Sequence, residues 1–139
     1  MSHPVTFYGG FREGGPLALV GLLTRLDQVT PLEQGDVLTY SLRIYDPDSD
    51  TPETPIWADI DQGAGGAFYN GVETSGYRMQ APGGYNFLLK IGHDQLDNPG
   101  GLNFSNVGGR NYRCVLTITS TDQELDNASW VWLVDCEAA

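Results

Sequence analysis

From residue 37 to 45 the chain reads Val-Leu-Thr-Tyr-Ser-Leu-Arg-Ile-Tyr. Leu38, Tyr40, Leu42 and Ile44 fall on one face; Val37, Thr39, Ser41, Arg43 and Tyr45 fall on the other. Successive side chains of a strand point to opposite faces, so this two-residue period marks a half-buried β-strand. The run ends in Asp46-Pro47-Asp48-Ser49-Asp50. Proline has no amide hydrogen to donate, and acidic and hydroxyl side chains favour turns.

Comparable runs predict strands at 5–8, 17–27, 37–45, 56–61, 77–80, 85–91, 110–119 and 129–137. In the second, Leu19, Leu22, Leu23 and Leu26 also fit a helical stripe, but Gly21 weakens a helix and every neighbouring run is extended. A single helical turn is expected at 93–98, before Pro99. Six Gly-Gly pairs, at 9–10, 14–15, 65–66, 83–84, 100–101 and 108–109, separate the runs. Glycine reaches positive φ without a Cβ clash, so these pairs mark turns and irregular connections. The spacing predicts an all-β fold, an antiparallel β-sandwich of immunoglobulin-like type.

The last hairpin is the best-defined unit. Tyr112, Cys114, Leu116 and Ile118 share one face, and Trp130, Trp132 and Val134 share a face of the returning strand, with Val131 and Leu133 opposite. A strand apolar on both sides is either central in its sheet or covered by another surface. Trp130 and Trp132 are therefore candidate partner contacts, one buried and the other in an assembly interface. Residues 1–16 differ from the rest: they are glycine-rich and carry Phe7, Tyr8 and Phe11 with little nearby to pack against. They read as an arm that docks on a neighbouring subunit, preceding a single sandwich domain at 17–139. The competing readings are an ordinary edge strand and a frayed terminus.

At 139 residues the chain is long enough to bury a core as one domain. Its 18 acidic and 7 basic residues give a net charge of −11. That balance repels phosphate backbones and anionic bilayers, which argues against nucleic-acid and membrane partners. The start, Met1-Ser2-His3-Pro4-Val5, has neither the basic residues nor the apolar run of a secretory signal, so synthesis in a cytoplasm is expected. The apolar segment 17–26 is too short to span a bilayer and contains Arg25. Asn103-Phe104-Ser105 and Asn127-Ala128-Ser129 match the glycosylation pattern, which has meaning only in a secreted chain. Cys114 and Cys136 sit on the last two strands. A disulfide is geometrically conceivable there, but two buried thiols acting as small hydrophobes suit a reducing compartment better.

Candidate chemistry is sparse. Asp46, Asp48 and Asp50 alternate like the first ligands of a calcium loop, but Thr51 and Trp57 stand where its glycine and glutamate belong. His93-Asp94 has no nucleophile motif beside it, and His3, His93 and the two cysteines do not have zinc-site spacing. Gly63-Ala64-Gly65-Gly66 lacks the lysine and the strand-to-helix context of a phosphate loop. Asp59 and Asp61 lie on one predicted face and could serve a glycoside hydrolase, though two such acids in one strand are generic. Three Trp, seven Tyr and five Phe could line a sugar-binding face, although in a sandwich most aromatics pack the core. No catalytic residue, metal or cofactor is assigned.

Gly-Leu-Leu-Thr-Arg-Leu-Asp (21–27), Leu-Thr-Tyr-Ser-Leu-Arg-Ile-Tyr-Asp (38–46), Gly-Tyr-Asn-Phe (84–87) and Gly-Arg-Asn-Tyr-Arg-Cys-Val-Leu-Thr-Ile-Thr (109–119) occur in this order. Together they resemble small β-sandwich proteins encoded among the structural genes of tailed bacteriophages and prophages. Those proteins serve as capsid-decorating, head–tail or tail accessory components. The resemblance implies a non-enzymatic virion protein, made in the host cytoplasm, whose partners are the major capsid protein, other virion subunits or further copies of itself. Phe7, Tyr8, Phe11, Trp130 and Trp132 are its candidate contact residues. The alternative is a carbohydrate- or host-surface-binding sandwich module.

Overall fold

A computed structural model describes residues 2–12, 17–25, 27, 29–47, 50–73, 84–91 and 110–137. Among the described residues eight strands carry the fold: β1 Ser2–Arg12, β2 Leu17–Gly21, β3 Thr39–Tyr45, β4 Trp57–Gly63, β5 Phe68–Glu73, β6 Tyr85–Ile91, β7 Arg110–Thr119 and β8 Ser129–Glu137. They form a five-stranded sheet of order β1-β8-β7-β3-β4 and a three-stranded sheet of order β2-β6-β5. The chain is thus all-β, with two sheets sharing one core. Neighbours pair antiparallel except β1 and β8, which run parallel from Thr6↔Val131 to Arg12↔Glu137.

Alternation explains the core. On β3, Tyr40, Leu42 and Ile44 point inward; on β7, Tyr112, Cys114, Leu116 and Ile118 do so; on β8, Trp130, Trp132 and Val134 do so. Leu17, Leu19, Phe68 and Phe87 meet them from the other sheet. Phe87 bridges the layers, with its ring centroid 5.3 Å from Trp132 and 5.0 Å from Phe68. Offset and edge-on aromatic pairs at these distances add to the gain from burial alone.

Three expectations need correction. Leu38 is 55% exposed while Val37 is buried, because the chain leaves the 3-10 turn Gln34–Asp36 at Val37 and takes up strand alternation only at Thr39. The second strand stops at Gly21 rather than at 27. Leu23 then serves a different structure, a loop closed by the Thr24↔Pro31 bridge and the bond from Leu32 N–H to the Leu23 carbonyl. Finally, β5 had no counterpart among the predicted strands. The runs predicted at 77–80 and 93–98 lie outside the described residues.

Of the residues expected to form an arm, Ser2–Arg12 sit at the edge of the larger sheet as β1. Phe7 is stacked on Trp132 with centroids 4.9 Å apart and planes at 21°. A Cβ at position 21 would come within 2.8 Å of the Phe7 ring, so glycine there leaves the space the ring occupies. The Trp132 indole N–H donates to the Val20 carbonyl at 3.0 Å. Phe7, Trp132 and Gly21 therefore join the start of the chain to both sheets.

Candidate docking face

Residues that alternate with the core positions form the outer face of the five-stranded sheet. Strand register aligns Tyr8 with Leu133, Leu133 with Arg113, and Arg113 with Tyr45. One row thus crosses four strands, and facing side chains in such a row lie close enough to interact. Tyr8 is 71% exposed and Leu133 40%. The Arg113 guanidinium lies 4.7 Å from the centroid of the Tyr45 ring, a cation–π contact that holds both side chains against the sheet. The adjacent row comprises Val131, Val115, Arg43 and Ala58. At one end a groove of about 340 Å³ opens between Tyr8, Pro47, Asn111, Leu133 and Asp135.

The candidate contact residues divide sharply. Tyr8 is on this face. Trp130 and Trp132 do share a side of β8, but it is the inner one, and both are 1% exposed. Both lie in the core, where Phe7 and Phe87 close over Trp132, so neither presents its side chain on the outer face. Phe7 is half-buried and points the same way. The backbone of Phe11 pairs with Cys136 on β8, and its side chain lies outside the described residues. Leu133, Arg113, Arg43 and Tyr45 are not among the candidate contact residues read from the sequence. Their signal is alternation read outward: the polar side of a strand whose opposite side fills the core.

The acidic pair on β4 separates. Asp59 faces Leu42 and Gln62 faces Tyr40, so Ile60 and Asp61 together oppose Ser41 in a β-bulge. Asp61 takes φ 55°, and its N–H donates to the Ser41 hydroxyl at 3.0 Å. The extra residue reverses the side-chain phase, which places Asp59 on the core side and turns Asp61 outward. Asp59 accepts from the Gln62 amide at 2.8 Å. Among the described residues no group of three or more His, Cys, Asp or Glu side chains could hold a metal ion.

The cysteines are out of register. Cys114 faces Trp132, whereas Cys136 faces Arg110, four positions further along β8. Four strand residues span about 13 Å, beyond the reach of a disulfide. Cys114 is a free thiol, and complete burial pushes its pKa up to about 12.

The end of the sandwich away from the Tyr8 row is held by a different set of contacts. Asn86 is fully buried. Its carbonyl accepts from Leu23 N–H at 2.7 Å, and its amide donates to the Leu23 and Leu32 carbonyls at 2.8 Å each. Arg25 pairs with Asp122 and, at 3.5 Å, with Asp36. Ser120 donates to the Asp36 carbonyl. Asp27 caps the turn that follows it: it accepts from the Thr30 hydroxyl and from the Thr30 and Val29 amides, which hold its carboxyl down at about 2.

No helix among the described residues is long and apolar enough to cross a membrane. No protein-family model, curated protein or solved structure matches this chain.

Proposed function

We propose that this chain is a non-enzymatic structural protein of a tailed-phage virion, most simply a capsid-decorating or stabilising subunit that grips an assembled shell. The observation that carries the reading is the Tyr8–Leu133–Arg113–Tyr45 row. It places exposed aromatic and aliphatic surface, with arginine, on a sheet face that no other described element covers. Interfaces are enriched in tyrosine and arginine, and a subunit that binds only the assembled lattice stabilises it by mass action. The resemblance of the four sequence stretches to phage accessory proteins supports the same reading.

The strand order favours an immunoglobulin-like version of the sandwich. β8-β7-β3-β4 opposite β2-β6-β5 matches the arrangement of strands G, F, C and C′ opposite B, E and D in variable-type domains. In this reading the arm is the edge strand β1, and its contribution to a partner is Tyr8 rather than a detached segment. The carbohydrate alternative is weakened where it relied on tryptophan: Trp130 and Trp132 are in the core, and Trp57 is half-buried against it.

The test is co-sedimentation of the protein with intact particles on a density gradient. Recovery in the particle band at high copy number supports shell decoration, and a low copy number moves the protein to the neck or tail. Absence from purified particles, with soluble protein elsewhere, overturns the reading.

A further inference from the structure

Asn70 and Gly71 are the one Asn-Gly pair in the sequence, and both are exposed on β5. The ladder between β5 and β6 joins Phe68 to Phe87 and Glu73 to Tyr85, so five steps of β5 run against two of β6. Residues 69–72 are the excess, and the ladder gives neither Asn70 nor Gly71 a facing residue on β6. Extra residues in such a bulge are left unpaired and the backbone bends around them. A Cβ at Gly71 would meet no atom within 4 Å, so the space around its backbone is open. The other described asparagines differ at one atom, the amide nitrogen of the residue that follows. Phe87, after Asn86, is paired with Phe68 on one side and Gly21 on the other. Tyr112, after Asn111, is paired with Val134. The Ala128 nitrogen, after Asn127, donates to the Leu125 carbonyl at 3.0 Å. Each of those three residues also has a side chain that crowds a ring closing on its nitrogen, whereas glycine has none.

We propose that Asn70 is a modification site at which the folded chain deamidates itself. The Gly71 nitrogen attacks Cγ of Asn70. The Cγ–Nδ2 bond breaks, and the amide group leaves as ammonia with the proton that the Gly71 nitrogen gives up. The product is a five-membered succinimide. Water then opens the ring at either carbonyl. Attack at Cγ breaks its bond to the Gly71 nitrogen and gives aspartate; attack at the Asn70 main-chain carbonyl breaks the backbone bond and gives isoaspartate, whose main chain runs through Cβ and Cγ. One water is consumed and one ammonia released, with no oxidant or cofactor. Either product adds a carboxylate to a chain whose net charge is already −11. The charge falls on the strand that ends the order β2-β6-β5, and a charge on an edge strand opposes pairing with a further strand. The modification does not rest on the virion reading and is a property of the purified chain.

The full chain, kept folded at neutral and at mildly alkaline pH, tests this by peptide mapping with mass spectrometry and by labelling with an isoaspartyl methyltransferase. The wild type is expected to lose the Asn70 amide and to take up label in the peptide that contains it. The loss should be faster at the higher pH, because the attacking nitrogen must shed its proton. Asn86, Asn111 and Asn127 should keep their amides over the same period. Gly71→Ala has room for its methyl group and should slow the loss about tenfold, which corresponds to about 1.4 kcal/mol in the barrier, with an unchanged circular dichroism spectrum. Asn70→Ser should remove the label from that peptide whether or not the Gly71 variant folds. Retention of the Asn70 amide in the folded wild type overturns the proposal. So does loss at Asn111 as fast as at Asn70, or a folded Gly71→Ala chain that deamidates at the wild-type rate.

Discussion

Asn86 shows how much one buried amide can organise. Its three hydrogen bonds fix both sides of the loop that follows β2, and the side chain that makes them is fully buried. Replacing it by alanine leaves backbone groups of Leu23 and Leu32 in need of partners, a cost of about 3 kcal/mol at the usual penalty per buried group. Urea denaturation should show this as a lower midpoint with little change in slope; an unchanged midpoint would mean the loop is held elsewhere. Asp27 makes a different kind of prediction. Its carboxyl lies at about 2, below the ordinary aspartate value of about 3.9, because the ionised form accepts three hydrogen bonds, the Thr30 hydroxyl first. A depressed folded-state value means that its contribution is present above about pH 4 and is lost as pH falls towards 2. Carboxyl-carbon NMR should place its midpoint near 2, and Thr30→Val should raise it. A wild-type midpoint near 4 would show that the turn is uncapped in solution.

At the level of elements, β1 matters most. It covers the outer edge of β8 and supplies Phe7 to the space over Gly21. Removing residues 1–16 should therefore lower the melting temperature as well as any assembly, and Gly21→Val should do so by displacing the Phe7 ring. Equal melting of the truncated and full-length chains would show that β1 contributes nothing to the sandwich. Where alternation is strong, elements could be read from residues alone: the bounds of β6, β7 and β8 coincide with those expected. β5 escaped notice because Phe68 is its buried residue and Asn70, Gly71 and Val72 are exposed in succession, so no two-residue period survives. The β4 bulge was equally hidden, since an inserted residue leaves no mark in a hydropathy pattern and shows itself only against the facing strand.

Over the whole molecule, the two sheets stand or fall together. Leu42 and Leu116 face each other across β3 and β7, and both are completely buried. Truncating either to alanine should cost about 2–5 kcal/mol, measured as the shift in unfolding free energy. A loss below about 0.5 kcal/mol would contradict the inward assignment of those strands. The candidate site was only partly legible. Tyr8 was named and is exposed, but depth within a sheet depends on the other layer. Sequence could pair Trp130 with Trp132 without showing that Phe7 and Phe87 close over Trp132. Arg43 and Arg113 become one surface only when β3 and β7 are placed side by side.

The parallel pairing of β1 with β8 has a mechanical consequence. Residues 2 and 137 lie at opposite ends of the paired strands, so tension applied between them slides one strand along the other instead of peeling them apart. From Thr6 to Arg12 the pairing is continuous, and those backbone bonds must yield nearly in unison. Pulled from its two ends, the chain should resist as a shear clamp, with a rupture force well above that found when the load is applied across the β7–β8 turn.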